Sequence, residues 1–288
     1  AYVTDRFMHF MGLHGKSFLP LFLGFGCNVP AVMAARTIDS TKARLLTILL
    51  APFVPCPARM SVVAILTPIF FVAQAPWVAL GLMALAMLVM VLVGLLLHEL
   101  LLGGEHVAFI MELPLYHPPD GWAILRSIYE RLVDFLRVAG SIILVVSVLL
   151  WALLNLPTGQ VETSYLAAFG RLLEPVGAWM GLSWQLMVAL VTSFVRKENV
   201  IATLGVLYGA GQAGEGLTET LSGIVTPAAA LAFMAVQMLF VPCVATVAAI
   251  RQETHNWGWT ALSVALPLAM SLALGTVIYH VARWLLSF

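Results

Sequence analysis

The chain has 288 residues, 61% of them hydrophobic and 10% charged, with a mean hydropathy of +1.00. Fourteen basic and fourteen acidic residues balance to a formal net charge of zero, which offers nothing to a nucleic-acid partner. A water-soluble domain is excluded: several apolar runs reach the roughly 20 residues needed to cross a hydrocarbon core about 30 Å thick.

Residues 1–17 carry Asp5, Arg6, His9, His14 and Lys16 without a long apolar core, so no signal peptide is expected there. The start at Ala1, without methionine, is what a fragment would show. His14-Gly15-Lys16-Ser17 resembles the tail of a phosphate-binding loop, but the glycine such a loop needs at position 10 is Phe10. Residues 18–34 are apolar and interrupted by Gly24, Gly26 and Pro30, which reads as a half-helix or re-entrant segment. Residues 45–73 could span, although they carry Pro52, Pro55, Pro57 and Arg59. Residues 76–102 form the cleanest span.

His98-Glu99 and Glu105-His106 suggest zinc, but both HExxH and its reverse require histidine at Leu102. They read as polar groups at a helix end. Residues 111–120 are a proline-rich loop. From 122 to 137, Ile124, Leu125, Ile128, Leu132, Phe135 and Leu136 share one face, and Arg126, Glu130, Arg131, Asp134 and Arg137 the other. This pattern predicts an amphipathic helix in the interface, followed by a span over 138–156. Residues 164–182 are re-entrant or a broken span, 183–208 a span containing Arg196-Lys197-Glu198-Asn199, and 209–226 a long polar loop. Residues 227–250 and 259–286 span.

Phe53-Val54-Pro55-Cys56 recurs as Phe240-Val241-Pro242-Cys243. Asn28-Val29-Pro30-Ala31 precedes the first copy, and Asn199-Val200-Ile201-Ala202 the second. The asparagine-to-cysteine gap is 28 residues in one copy and 44 in the other. We read a degenerate internal repeat, with one copy over about 18–74 and the other over about 183–250. Lysine and arginine cluster in loops 35–44, 103–137 and 251–258, which places those loops in the cytoplasm. The two copies then run in opposite directions, an inverted-repeat architecture whose site lies near the midplane. The fold expected is all-α and polytopic, with broken or re-entrant helices in both copies.

The chemistry concentrates at Cys27, Asn28, Cys56, Glu198, Asn199 and Cys243. Aligning the asparagines sets Cys27 opposite Glu198, so each copy offers an ionisable group, an amide and a proline-flanked cysteine. Thiolate with carboxylate and amide oxygen suits a borderline-soft divalent metal. Against this stand two plain readings: a buried cysteine as a small hydrophobe, and Glu198 as the partner of a cation on another helix. The three cysteines, all in or beside apolar runs, do not suggest a disulfide framework. Freed carbonyls at the breaks near Pro30, Pro55 and Pro242 are expected to join the site.

Gly24-Phe25-Gly26-Cys27-Asn28-Val29-Pro30-Ala31 with Arg36-Thr37 resembles the first Gate motif of ferrous iron transport protein B, the FeoB family. Gly12 to Phe18, Ala51-Pro52, Cys56 and Ala58-Arg59 fit the same pattern, as do Glu112-Leu113-Pro114 with Tyr116. Lys197-Glu198 and Pro242-Cys243-Val244-Ala245-Thr246 resemble the second Gate. The resemblance implies a single permease domain over 1–288 that imports ferrous iron across the bacterial inner membrane, with Cys27, Cys56, Cys243 and Glu198 as path residues. The family's GTP-binding domain has no counterpart in these residues. GTP is therefore expected to act only through a separate domain or chain, and the chain itself is not expected to be an enzyme. Its expected partners are the lipid bilayer, that GTP-binding domain and a further copy of itself as a homo-oligomer. A transporter of an organic solute such as a nucleoside is the alternative, and an intramembrane enzyme lacks any nucleophile-base spacing.

Overall fold

The computed structural model describes Met8, Leu13 and residues 15–102, 121–156, 164–208 and 215–286. The described residues are mostly helical, with no strand among them. The helices are α1 (Phe18–Gly24), α2 (Asn28–Ala34), α3 (Thr41–Leu50), α4 (Pro57–Phe70), α5 (Ala75–Leu102), α6 (Gly121–Asn155) and α7 (Tyr165–Ala178). They continue as α8 (Trp184–Thr192), α9 (Asn199–Leu207), α10 (Glu215–Ile224), α11 (Pro227–Leu239), α12 (Val244–Thr254) and α13 (Trp257–Leu286).

One order of elements occurs twice. Helix, break and helix (α1, α2) are followed by helix, break and helix (α3, α4), then by the long α5. The same order runs through α8, α9, α11, α12 and the long α13, with α10 inserted. Four stretches are long and apolar enough to cross a membrane: Thr41–Phe70, Ala75–Leu100, Pro227–Thr254 and Trp257–Leu285. The first and third each contain a break. The chain is a multi-pass membrane protein.

The breaks follow from backbone chemistry. Pro55, Pro57 and Pro242 lack an N–H and push the residue before them toward extended conformations. Val54 (ψ 126°) and Cys56 (ψ 162°) both obey. Pro30 does not break the chain as expected. It lies in the first turn of α2, where no intrahelical N–H bond is lost, and the break falls upstream at Phe25–Cys27. There Gly24 lets the end of α1 approach Val54, whose Cβ would lie 3.1 Å from an added Cβ.

Residues 183–208 form two helices, not one span. Thr192 and Ser193 turn their hydroxyls back onto the carbonyls of Ala189 (2.9 Å) and Leu190 (2.6 Å), and the chain leaves the helix before the charged triplet. Residues 164–182 are a helix, α7, capped by Ser164 and packed antiparallel on α8 through a turn at Gly181. The loop expected over 209–226 contains α10, which buries Leu221. Residues 122–137 and 138–156 belong to one uninterrupted helix, α6, of 35 residues and about 50 Å, because no proline divides them. The expectations for 103–120, including the proline-rich loop and Glu112 to Tyr116, lie outside the described residues.

Helix α11 is the centre of the molecule. It is apolar all round and buried along nearly its whole length against α4, α5 and α13, as such a helix must be. Helices α2 and α12 pack side by side through Ala31, Ala35, Ala245 and Ala249. At their far ends Arg36 donates to both carboxylate oxygens of Glu253, Nε lying 2.7 and 2.8 Å away. Toward the other end of the Thr41–Phe70 stretch, Leu66 and Phe70 close against Leu186, Leu204, Leu221 and Phe233.

Candidate functional site

The four breaks place the candidate residues at equivalent positions. Cys27, Cys56, Glu198 and Cys243 are the N-caps of α2, α4, α9 and α12. None uses its side chain to cap its own helix. Asn28 and Asn199 are the first residues of α2 and α9. The register read from the asparagines is therefore the register of the helix starts.

Cys27 is within electrostatic reach of both Cys56 and Cys243, although each comes from a different break. All three are free and half-buried. Cys243 Sγ lies 3.1 Å from Thr246 Oγ1. Asn28 is buried, and its Oδ1 has no hydrogen-bond partner among the described residues, a costly state for a carbonyl oxygen unless something else comes to it. Among the described residues no three His, Cys, Asp or Glu side chains stand close enough to hold one ion together.

Glu198 is more exposed than the thiols. Its side chain is half exposed and accepts from Arg196 Nη2 at 3.2 Å. It thus pairs within its own segment and not with a cation of another helix. Asn199 is partly buried beside it.

Two residues that the sequence analysis names without placing them among the candidate ligands are buried at the breaks. Arg59 is fully buried. It donates from Nη1 to the carbonyl of Pro52 (2.6 Å) and from Nη2 to that of Phe240 (2.8 Å), one from each Pro-Cys break. Lys197, 3% exposed, donates to the carbonyl of Val241 (2.5 Å) and sits 5.2 Å from the centre of the Phe240 ring. The carbonyls at these breaks are thus held by the protein's own cations. The two breaks of the second copy also bond directly, Val244 N–H donating to Phe194 O at 2.8 Å. The available signal was a lone cation inside an apolar run beside proline, a setting in which backbone carbonyls are the natural partners.

A family model described as Gate, nucleoside recognition, matches residues 1–70 and 136–257. A second, for the C terminus of ferrous iron transport protein B, matches 79–131. The chain belongs to the Gate-domain family of ferrous iron transport protein B. It is 41% identical to the Fe(2+) transporter FeoB of Staphylococcus aureus (strain COL), over 98% of this chain and 43% of that protein. The Fe(2+) transporter FeoB of Methanocaldococcus jannaschii is 35% identical over 96% of this chain and 43% of its own length. That of Escherichia coli (strain K12) is 33% identical over 99% of this chain and 44% of its own length. The chain thus spans less than half the length of these relatives. No solved structure matches it.

Proposed function

We propose that this chain is the membrane permease of a ferrous iron importer in the bacterial inner membrane. The metal is passed between two inverted Gate repeats through Cys27, Cys56 and Cys243. The placement of three thiols at the starts of the helices that follow three separate breaks carries this reading. Iron here is cargo. Thiols in reach of one another, yet short of a closed coordination shell, suit an ion that must leave as readily as it enters. Cys56 and Cys243 stand at the starts of helices of 14 and 11 residues, where backbone N–H groups leave room for an outside partner. Asn28 Oδ1 is an oxygen ligand beside them. Glu198 and Asn199 serve as a relay at the mouth of the path, because Glu198 is solvated and its pairing with Arg196 is local.

The basic loops 35–44 and 251–258 face the cytoplasm, and the 209–226 segment faces the other side. GTP enters through a separate domain or chain, in keeping with the greater length of the relatives. The nucleoside reading has only the wording of one family model behind it, and a nucleoside site has no use for three thiols. Anaerobic uptake of ferrous iron into vesicles holding the reconstituted protein, before and after thiol alkylation, tests the proposal. Uptake abolished by alkylation supports it. Uptake of a nucleoside that alkylation leaves intact refutes it.

A further inference from the structure

Along α12, Val244, Val247, Ala248, Arg251, Gln252 and His255 recur at helical spacing and form one stripe. The side turned to α2, with Ala245 and Ala249, is buried, whereas every residue of the stripe is half-buried or exposed. With Trp257 and Thr260 of α13 the stripe lines a cleft of about 620 Å³, open on one side.

The cleft changes character along its length. Its inner part, Val244, Val247 and Ala248, is apolar. Its outer part begins at Arg251, about 10 Å further along the helix axis than Val244. That outer part falls between the ends of two membrane-crossing stretches, Pro227–Thr254 and Trp257–Leu285, and so at a membrane surface. Trp257 is 71% exposed there, an amphipathic ring at the level where headgroups meet hydrocarbon.

The charge at the outer end is not neutralised from within. Arg251 makes no ion pair among the described residues. Glu253, two residues on, turns to Arg36 on the α2 side. Arg251 Cζ lies 4.7 Å from the centre of the Trp257 ring. Stacking of this kind holds a guanidinium in place without using its N–H donors. Gln252 and His255 set an amide and an imidazole beside it on the rim. Plain contact with lipid chains needs only the apolar turns. An uncompensated cation at the end of the same stripe adds a demand for negative charge at headgroup depth, which a zwitterionic lipid meets with a cation of its own.

We propose that the cleft between α12 and α13 is a binding site for an anionic glycerophospholipid, with the headgroup phosphate at Arg251 and an acyl chain along Val244, Val247 and Ala248. The site does not depend on the permease reading.

Dioleoylphosphatidylglycerol and dioleoylphosphatidylcholine are titrated separately onto the purified protein in detergent, and bound lipid is counted by native mass spectrometry. The first phosphatidylglycerol should bind about fivefold more tightly than phosphatidylcholine, the effect of one basic residue near a membrane surface. Arg251→Gln should remove that preference, and Arg251→Lys should retain it. Gln252→Glu puts an acid on an exposed rim position that the fold does not depend on, and should remove the preference as well. Inorganic phosphate in large excess should not displace the lipid, because it lacks the chain that the apolar turns hold. Equal affinity for the two lipids in the wild-type protein overturns the proposal. A preference that survives both Arg251→Gln and Gln252→Glu also overturns it, since the anionic lipid then sits elsewhere. Displacement by phosphate overturns the lipid and leaves a plain anion cleft.

Discussion

Arg59 Nη2 donates a 2.8 Å hydrogen bond to the carbonyl of Phe240, which lies 181 residues further along the chain. The same guanidinium holds Pro52 O, so one side chain ties the first Pro-Cys break to the second. Removing it leaves two buried acceptors unpaired at about 1–3 kcal/mol each. Arg59→Met should therefore lose about 2–6 kcal/mol, and Arg59→Lys, which can still serve one carbonyl, less. Unfolding of the purified variants in detergent, followed by tryptophan fluorescence, checks this. Equal stability of wild type and Arg59→Met would show that the tether is incidental.

The thiols and the glutamate make separable predictions. Cys56→Ser and Cys243→Ser keep size but remove a soft ligand, and should lower anaerobic iron uptake by about tenfold or more per folded molecule. A cysteine that only fills space would leave uptake intact. Glu198 pairs with Arg196 in a half-exposed setting, so Glu198→Gln should shift stability by less than about 1 kcal/mol. Any loss of uptake in that variant then reports on transport. Normal uptake would remove Glu198 from the path.

Gly181 has φ +68°, and a Cβ there would come within 2.3 Å of the Tyr279 ring. Gly181→Ala combines a left-handed backbone, costing about 1–2 kcal/mol, with a clash against α13. It should lower the melting temperature of the purified protein by several degrees, and Tyr279→Ala should recover only the part due to the clash. A melting temperature equal to wild type would rule out both effects.

The helix breaks that hold the candidate residues could be read from sequence because their signals are local. Proline beside cysteine marks Phe53–Cys56 and Phe240–Cys243 as breaks, and the two asparagines mark helix starts. The partners of Arg59 and Lys197 escaped because they are backbone carbonyls far away in the chain, which carry no side-chain signature. Glu198 drew attention as the acid of a charged triplet, but a two-residue reach to Arg196 satisfies it. Pro30 misled for a positional reason: the same residue that ends a helix in its interior is harmless in the first turn. The helix α10 has Leu217, Leu221 and Ile224 at helical spacing, a signal outweighed by the glycines and threonines around it.

The basic loops predict a sidedness that labelling can check. Single cysteines at Ser40 and Gly223, in a background lacking Cys27, Cys56 and Cys243, should be labelled from opposite faces by a membrane-impermeant maleimide. Gly223 has open space around it, so the new side chain is tolerated. Labelling of both positions from one face would contradict the inverted arrangement.

The two repeats are fastened by unlike means at their two ends. Arg36 and Glu253 join one end by an ion pair, with Arg36 more than half exposed, while Leu66, Phe70, Leu186, Leu204, Leu221 and Phe233 join the other by oily contact. Salt loosens the first and leaves the second unmoved. Cooling weakens the second and scarcely touches the first. Prying apart the apolar end exposes hydrocarbon and raises the heat capacity, whereas parting the ionic end does not. Ionic strength and temperature are thus independent handles on the two ends of one molecule.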